Sequence, residues 1–221
     1  MKLPFARYGY RELAAFTSVF ALAAFVLGYL VWWPLAILFG LLALFVAWFF
    51  RDPPRVVPQA RGIMVSPADG TVTDIADVDD AEFIGGPARR IGIFLSVFSV
   101  HINRAPCDGR VEYIRHHKGK FLNALRPESS EHNEANSVGM VLPDRGGARI
   151  LVKQITGAIA RRIVCECKEG DCLARGQKFG MIKFGSRTEL YVPRDLPFEI
   201  GVKIGQKVNA GTSVVGSIRE A

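Results

Sequence analysis

Three short stretches carry side chains that could do chemistry: Ser66-Pro67-Ala68-Asp69-Gly70, Val100-His101-Ile102-Asn103-Arg104-Ala105-Pro106, and Phe184-Gly185-Ser186. They supply a carboxylate, an imidazole and a hydroxyl. A hydroxyl is a poor nucleophile at neutral pH unless an oriented base takes its proton, which is the logic of a Ser-His-Asp arrangement. Each stretch also has an ordinary structural reading. Asp-Gly marks a turn, a histidine at a strand end is commonly a satisfied core residue, and Gly-Ser is a common loop pair. The cysteines Cys107, Cys165, Cys167 and Cys172 read as reduced thiols, because their spacing lacks the Cys-x2-Cys pairing of metal sites and their neighbours alternate like a strand; no metal is expected.

The elements that must position these groups are mostly β. From residue 61 onward short β-rich runs alternate with glycine turns, and helical periodicity shows only around Phe121–Leu125. Ile91–Val100 is the strongest strand. On its odd face Ile91, Ile93, Leu95 and Val97 give way to Ser99, His101 and Asn103, so polar groups emerge at one end of a core strand. A weak internal repeat follows: Gly170 to Gly176, with Gly180, recurs as Gly205 to Gly211, with Gly216. Each copy reads as turn, short strand, turn. Paired hammerhead-like units of this kind build lipoyl and biotinyl domains, so the expected class is mostly β (α+β), a sandwich or barrel, in which those glycines are structural.

An apolar N-terminal segment precedes this domain. The chain has 221 residues, 49% hydrophobic and 22% charged, with a mean hydropathy of +0.19. All 28 Lys+Arg and 21 Asp+Glu fall outside Leu13–Phe50. Trp32-Trp33-Pro34 divides this run into Leu13–Val31 and Leu35–Phe50, two pieces near membrane length that form a hairpin, either transmembrane or re-entrant. The run is too long for a cleaved signal peptide. The expected division is 1–55 as membrane anchor and 56–221 as the second domain. Lys2, Arg7, Arg11, Arg51 and Arg55 bracket the hairpin against Glu12 and Asp52, which places the domain on the cytoplasmic side of the inner membrane. The net charge of +7 therefore points to anionic lipid, and with no base-reading motif or interleaved aromatic and basic stripe, nucleic acid is not expected as a partner.

Taken in order, the motifs resemble the phosphatidylserine decarboxylase proenzymes, in their short membrane-anchored form. The resemblance runs through Phe49-Phe50-Arg51-Asp52-Pro53, Pro67-Ala68-Asp69-Gly70, Val100 to Pro106, Gly119-Lys120-Phe121-Leu122-Asn123-Ala124, Asn133-Glu134, and Arg175 to Ser186, the last being the most diagnostic. It implies self-cleavage at Gly185-Ser186 into a long chain, 1–185, and a short chain, 186–221, that form a heterodimer. Ser186 would attack the Gly185 carbonyl to give an ester; β-elimination and loss of ammonia would leave a covalent pyruvoyl cofactor at residue 186. That group would condense with the amine of phosphatidylserine and accept the electrons freed as carbon dioxide leaves, giving phosphatidylethanolamine.

By the same resemblance His101 is base and proton donor, and Asp69 orients it. One departure stands out: where longer bacterial members have His-x-x-His, Arg104 occupies the second position. An arginine keeps its proton, so Arg104 cannot be that base: either His101 covers both cleavage and the later proton transfer, or Arg104 binds phosphate or carboxylate of the substrate, and the sequence does not decide which. The oligomeric state, a homo-oligomer included, is left open. A membrane-tethered lipoyl-like adaptor without catalysis accounts for the hairpin and the repeat, but not for the motif set.

Overall fold

The computed structural model describes residues 5–126, 128–158, 162–183 and 186–219. The chain forms two compact units, Met1–Pro54 and Arg55–Ala221. In the first, α1 (Tyr10–Tyr29) and α2 (Trp33–Phe49) form a helical hairpin. Its turn is tight: the Trp32 backbone N–H donates to the Leu27 carbonyl at 2.8 Å, Val31 takes a positive φ of 64°, and Pro34 sits in the first turn of α2, where its missing N–H costs nothing. The stretch Arg7–Tyr29 is long and apolar enough to cross a membrane; α2, at 17 residues, is shorter. Where the helices pack, the Phe20 and Phe39 rings meet tilted at 46°, their centroids 6.0 Å apart. At the open end the Ala6 N–H donates to the Phe50 carbonyl at 2.7 Å, and the Arg51 guanidinium lies 3.7 Å over the Trp48 ring.

The second unit is mostly β, with strands β1 (Ile63–Val65), β2 (Gly70–Asp80), β3 (Gly86–Leu95), β4 (Ile102–Arg104), β5 (Gly109–His117), β6 (Ala135–Leu142), β7 (Ala148–Ile155), β8 (Arg162–Cys165), β9 (Cys172–Leu173), β10 (Lys178–Lys183), β11 (Ser186–Pro193), β12 (Phe198–Ile200), β13 (Lys207–Val208) and β14 (Val214–Ile218). A single turn of helix, α3 (Ser129–His132), lies between β5 and β6. Eight strands form one curled antiparallel sheet in the order β13-β2-β3-β11-β7-β6-β5-β9, and two three-stranded sheets run β1-β14-β12 and β4-β10-β8. One apolar core, including Met64, Ile91, Ile93, Leu95, Met140, Ile150, Phe179, Leu190 and Val215, joins the large sheet to the small ones.

These strands are two copies of one unit. In the first, Val72 N–H donates to Gln206 O and Gly205 N–H to Val72 O, at 2.9 and 2.8 Å; in the second, Val111 N–H donates to Asp171 O and Gly170 N–H to Val111 O, at 2.8 and 2.7 Å. The Val65 N–H to Pro106 O bond of one copy is answered by Arg104 N–H to Pro67 O. Both copies carry a bulge at the same place, between Val72 and Asp74 and between Val111 and Tyr113. Gly170, Gly176, Gly205 and Gly211 all have positive φ, which is why the pattern keeps glycine there. The copies meet at the centre of the large sheet, where β11 pairs with β7 around Leu190 and Val152. The second copy, β4 to β10, is contiguous, whereas the first is split: β1–β3 precede the second copy and β11–β14 follow it.

Two expectations need correction. The strand beginning near Ile91 ends at Leu95, not Val100, because Ser99 N–H folds back to Ser96 O at 2.9 Å and closes a turn. His101 therefore lies beyond that turn, just before β4, and not on the odd face of that strand. Phe121–Leu125 is loop; the nearby helical turn is α3.

Candidate active site

The split copy explains where the polar groups gather. The chain leaves the first copy after Leu95 and re-enters it at Ser186, and those two residues pair across β3 and β11. The outgoing path carries His101; the returning path carries Phe184 and Gly185, which lie outside the described residues together with the expected scissile bond. The paths run side by side, since Ile182 N–H donates to the His101 carbonyl at 3.2 Å and Met181 pairs with Ile102.

Ser186 is fully buried, and its Oγ makes no hydrogen bond among the described residues. A buried hydroxyl without a partner costs about 1–3 kcal/mol, so it marks a place where stability yields to another requirement. His101 is also fully buried, with Nδ1 2.9 Å from the Ser99 carbonyl. A carbonyl only accepts, so Nδ1 carries a proton, and in a neutral ring the lone pair that a base needs is then on Nε2. Asp69 is buried in the turn before β2; its Oδ1 accepts the Ala210 N–H and its Oδ2 accepts from Arg55, both at 2.7 Å. Asp108 holds the Arg175 N–H at 2.9 Å in the other copy, so the first of these contacts belongs to the repeat. From the Asp69 turn the Pro67 carbonyl takes the Arg104 backbone N–H at 3.0 Å and Asn103 Nδ2 at 3.4 Å, which ties the turn to the strand that follows His101. The Arg104 side chain donates to the Gly176 carbonyl at 2.9 Å and lies against Gly211.

Sequence reasoning missed a buried polar chain behind Ser186. Asn103 Nδ2 donates to Thr188 Oγ1 at 2.9 Å, Gln154 Nε2 to Asn103 Oδ1 at 2.9 Å, and Asn136 Nδ2 to Gln154 Oε1 at 3.0 Å. Thr188 lies two residues beyond Ser186, on the same face of β11. The signal that could have found this chain is the second half of the repeat, Pro67-Ala68-Asp69-Gly70-Thr71-Val72 against Pro106-Cys107-Asp108-Gly109-Arg110-Val111. It aligns Asn103 with Met64.

On the opposite face of β11, Arg187 is buried one residue from Ser186. It donates to Glu189 at 2.6 Å and to Thr73 at 2.9 Å, and binds Asp74. Ser130 and Tyr191 donate to the other Glu189 oxygen at 2.8 and 2.7 Å. Burial alone would raise the Asp74 carboxyl, but its bond to Arg187 and the charges of Arg187 and Arg90 outweigh that and hold it below the usual range.

The split β unit thus places a buried serine, whose Oγ makes no hydrogen bond among the described residues, at its re-entry point and a buried imidazole on the paired exit path. The sequence profile of phosphatidylserine decarboxylase matches residues 42–216. The chain is 53% identical over 212 residues to the phosphatidylserine decarboxylase proenzyme of Rhodopirellula baltica, covering 96% of this chain and 87% of that one. It is 49% identical to the proenzyme of that name from Carboxydothermus hydrogenoformans, covering 88% and 89%, and 45% identical to the one from Symbiobacterium thermophilum, covering 96% and 95%. The chain belongs to the phosphatidylserine decarboxylase family.

Proposed function

We propose that this protein decarboxylates phosphatidylserine to phosphatidylethanolamine at a membrane surface, after converting its own Ser186 to a pyruvoyl group. The observation that carries this reading is the buried Ser186 Oγ with no hydrogen bond among the described residues, in a chain whose relatives are named as proenzymes. Ser186 Oγ attacks the Gly185 carbonyl as His101 Nε2 takes its proton, and the peptide nitrogen leaves as the ester forms. β-Elimination then removes the Cα proton and breaks the Cβ–O bond, freeing the Gly185 carboxylate; the dehydroalanine left behind tautomerises to an imine, which water hydrolyses to the keto group with loss of ammonia. Because nucleophile and carbonyl belong to adjacent residues of one chain, the step gains the effective molarity of an intramolecular reaction.

The site fits the proposed group. Elimination removes a hydroxyl that has no hydrogen-bond partner among the described residues, and the Thr188–Asn103–Gln154 chain would supply fixed dipoles to a keto group formed in place of the residue 186 amine. When formed, the keto group supplies the sink for electrons released as carbon dioxide leaves. His101, held through Nδ1 by Ser99, then returns a proton to the product carbon. Asp69 acts as a positioning residue, setting the strand after His101 through the Pro67 carbonyl. The long and short chains stay together because β11 is paired on both sides by long-chain strands, β3 and β7. The two repeated units act as a lipoyl-like hammerhead pair, and the hairpin holds the catalytic unit at the cytoplasmic face of the inner membrane.

The test is carbon dioxide release from carboxyl-labelled phosphatidylserine, with free serine as the control. Release from the lipid alone is expected; release from neither defeats the reading.

A further inference from the structure

Three adjacent strands end together at the Ser186 side of the large sheet: β3 at Leu95, β11 at Ser186 and β7 at Ile155, which pairs with Arg187 and is followed by Thr156. Neighbouring strands lie about 5 Å apart, so these ends span roughly 10 Å. Exposed apolar side chains rim them. Phe98, in the turn after β3, is 64% exposed. Beyond β7, Asn133 Nδ2 bonds the Thr156 and Leu122 carbonyls at 2.8 and 2.9 Å, fastening the loop 118–126 to the end of that strand. On this loop Phe121 and Leu125 are 36% and 54% exposed. From His116 to Arg126 the segment carries no carboxylate; Lys118, Lys120 and Arg126 are exposed and make no ion pair among the described residues. At the opposite end of the sheet the loop in the matching place, Pro143 to Gly147, holds Asp144 and Arg145 and no exposed large apolar side chain.

We infer that the loops 96–99 and 118–126 dock on an anionic lipid bilayer, Phe98, Phe121 and Leu125 entering the headgroup boundary while Lys118, Lys120 and Arg126 meet acidic headgroups. The inference rests on the proposed lipid substrate, whose headgroup then reaches the Ser186 end without its acyl chains leaving the bilayer. Aromatic side chains favour the membrane–water interface, and each cation near an anionic surface strengthens binding about fivefold. The hairpin tethers the unit, so docking is intramolecular and individually weak contacts suffice.

The test is hydrogen–deuterium exchange of the full chain in nanodiscs of phosphatidylcholine alone and of phosphatidylcholine mixed with phosphatidylglycerol, an anionic lipid that is not the proposed substrate. In the anionic discs the amides of both loops are expected to slow about tenfold, with β6 and β7 unchanged. The variants F98S/F121S/L125S and K118Q/K120Q/R126Q should each lose that protection. Equal exchange of both loops in the two discs overturns the docking surface, and that comparison needs no variant; the β6–β7 signal identifies any variant that misfolds. Carbon dioxide release is read separately, so a protein whose loops are protected but which releases none would defeat the substrate reading and leave docking intact.

Discussion

The two repeated units share backbone, bulges and glycine turns, yet the residues to which we assign the chemistry gather at one end of their common sheet, and the other end, inert in this assignment, closes in a short loop. Position by position, Ser186 answers to Ala148, Thr188 to Ile150, Gln154 to Val192, Asn103 to Met64 and His101 to Gly62. In the contiguous copy, β6 and β7 join through the short loop Pro143 to Gly147. In the split copy that join is opened, and the whole second copy enters through it. The difference separates scaffold from site. Asp69 and Asp108 each hold the same backbone N–H of a glycine turn, so that contact is scaffold. The polar residues that are apolar in the other copy are the ones the fold does not require.

The comparison can be broken in four ways. The largest effect is expected from His101→Gly, which installs the residue of the inert end: self-cleavage, followed on denaturing gels, should slow by ~10²–10⁴-fold. A rate within a few-fold of wild type would return His101 to the scaffold. Next, Arg187→Met removes the nearer of the two cations that face buried Glu189, leaving only Arg90 at 3.8 Å, and should cost about 3–5 kcal/mol in denaturant unfolding. The same cluster gives a pH signature. The Asp74 carboxyl is lowered in the folded state, so its contribution is present above the ordinary value of 3.8 and is lost as pH falls through the folded value, which a series of Tm measurements into acid would follow.

A smaller kinetic effect comes from copying the inert end outright. Asn103→Met, Thr188→Ile and Gln154→Val together remove three members of the polar chain but take the Gln154 acceptor from buried Asn136, so stability should fall by about 1–3 kcal/mol. Cleavage should also slow by ~10–100-fold, a partial loss of preorganised dipoles. If cleavage is unchanged, the polar chain is only a way of filling the core. The smallest effect belongs to Asp108→Ala, which removes one turn contact: about 1 kcal/mol of stability and no change in cleavage rate. Asp69→Ala should show a similar stability loss together with slower cleavage.

Some of this was legible in the chain and some was not. The hairpin could be read because a bilayer demands an uncharged run of definite length, and Leu13–Phe50 supplies it. The glycine turns of the repeat could be read because positive φ restricts the residue. The other half of each unit was hidden by spacing: Gly170 and Gly205 are 35 positions apart, whereas Asp69 and Asp108 are 39 apart, so one offset does not reveal both. An apolar run shows an affinity for an apolar environment and not where the chain turns, which is why Val97 and Phe98 extended the expected strand beyond Leu95. Arg187 and Glu189 carry charge at alternate positions of β11, which by itself gives no sign of burial; they are buried because Ser130, Tyr191 and Arg90 close over that face.

The central claim is that Ser186 is consumed to make the catalytic group. Mass spectrometry of the purified protein under denaturing conditions tests it most directly. The account predicts two pieces, residues 1–185 and a 36-residue piece starting at position 186 with a keto group in place of its amine. A single intact chain of 24.3 kDa that still releases carbon dioxide from phosphatidylserine would contradict it.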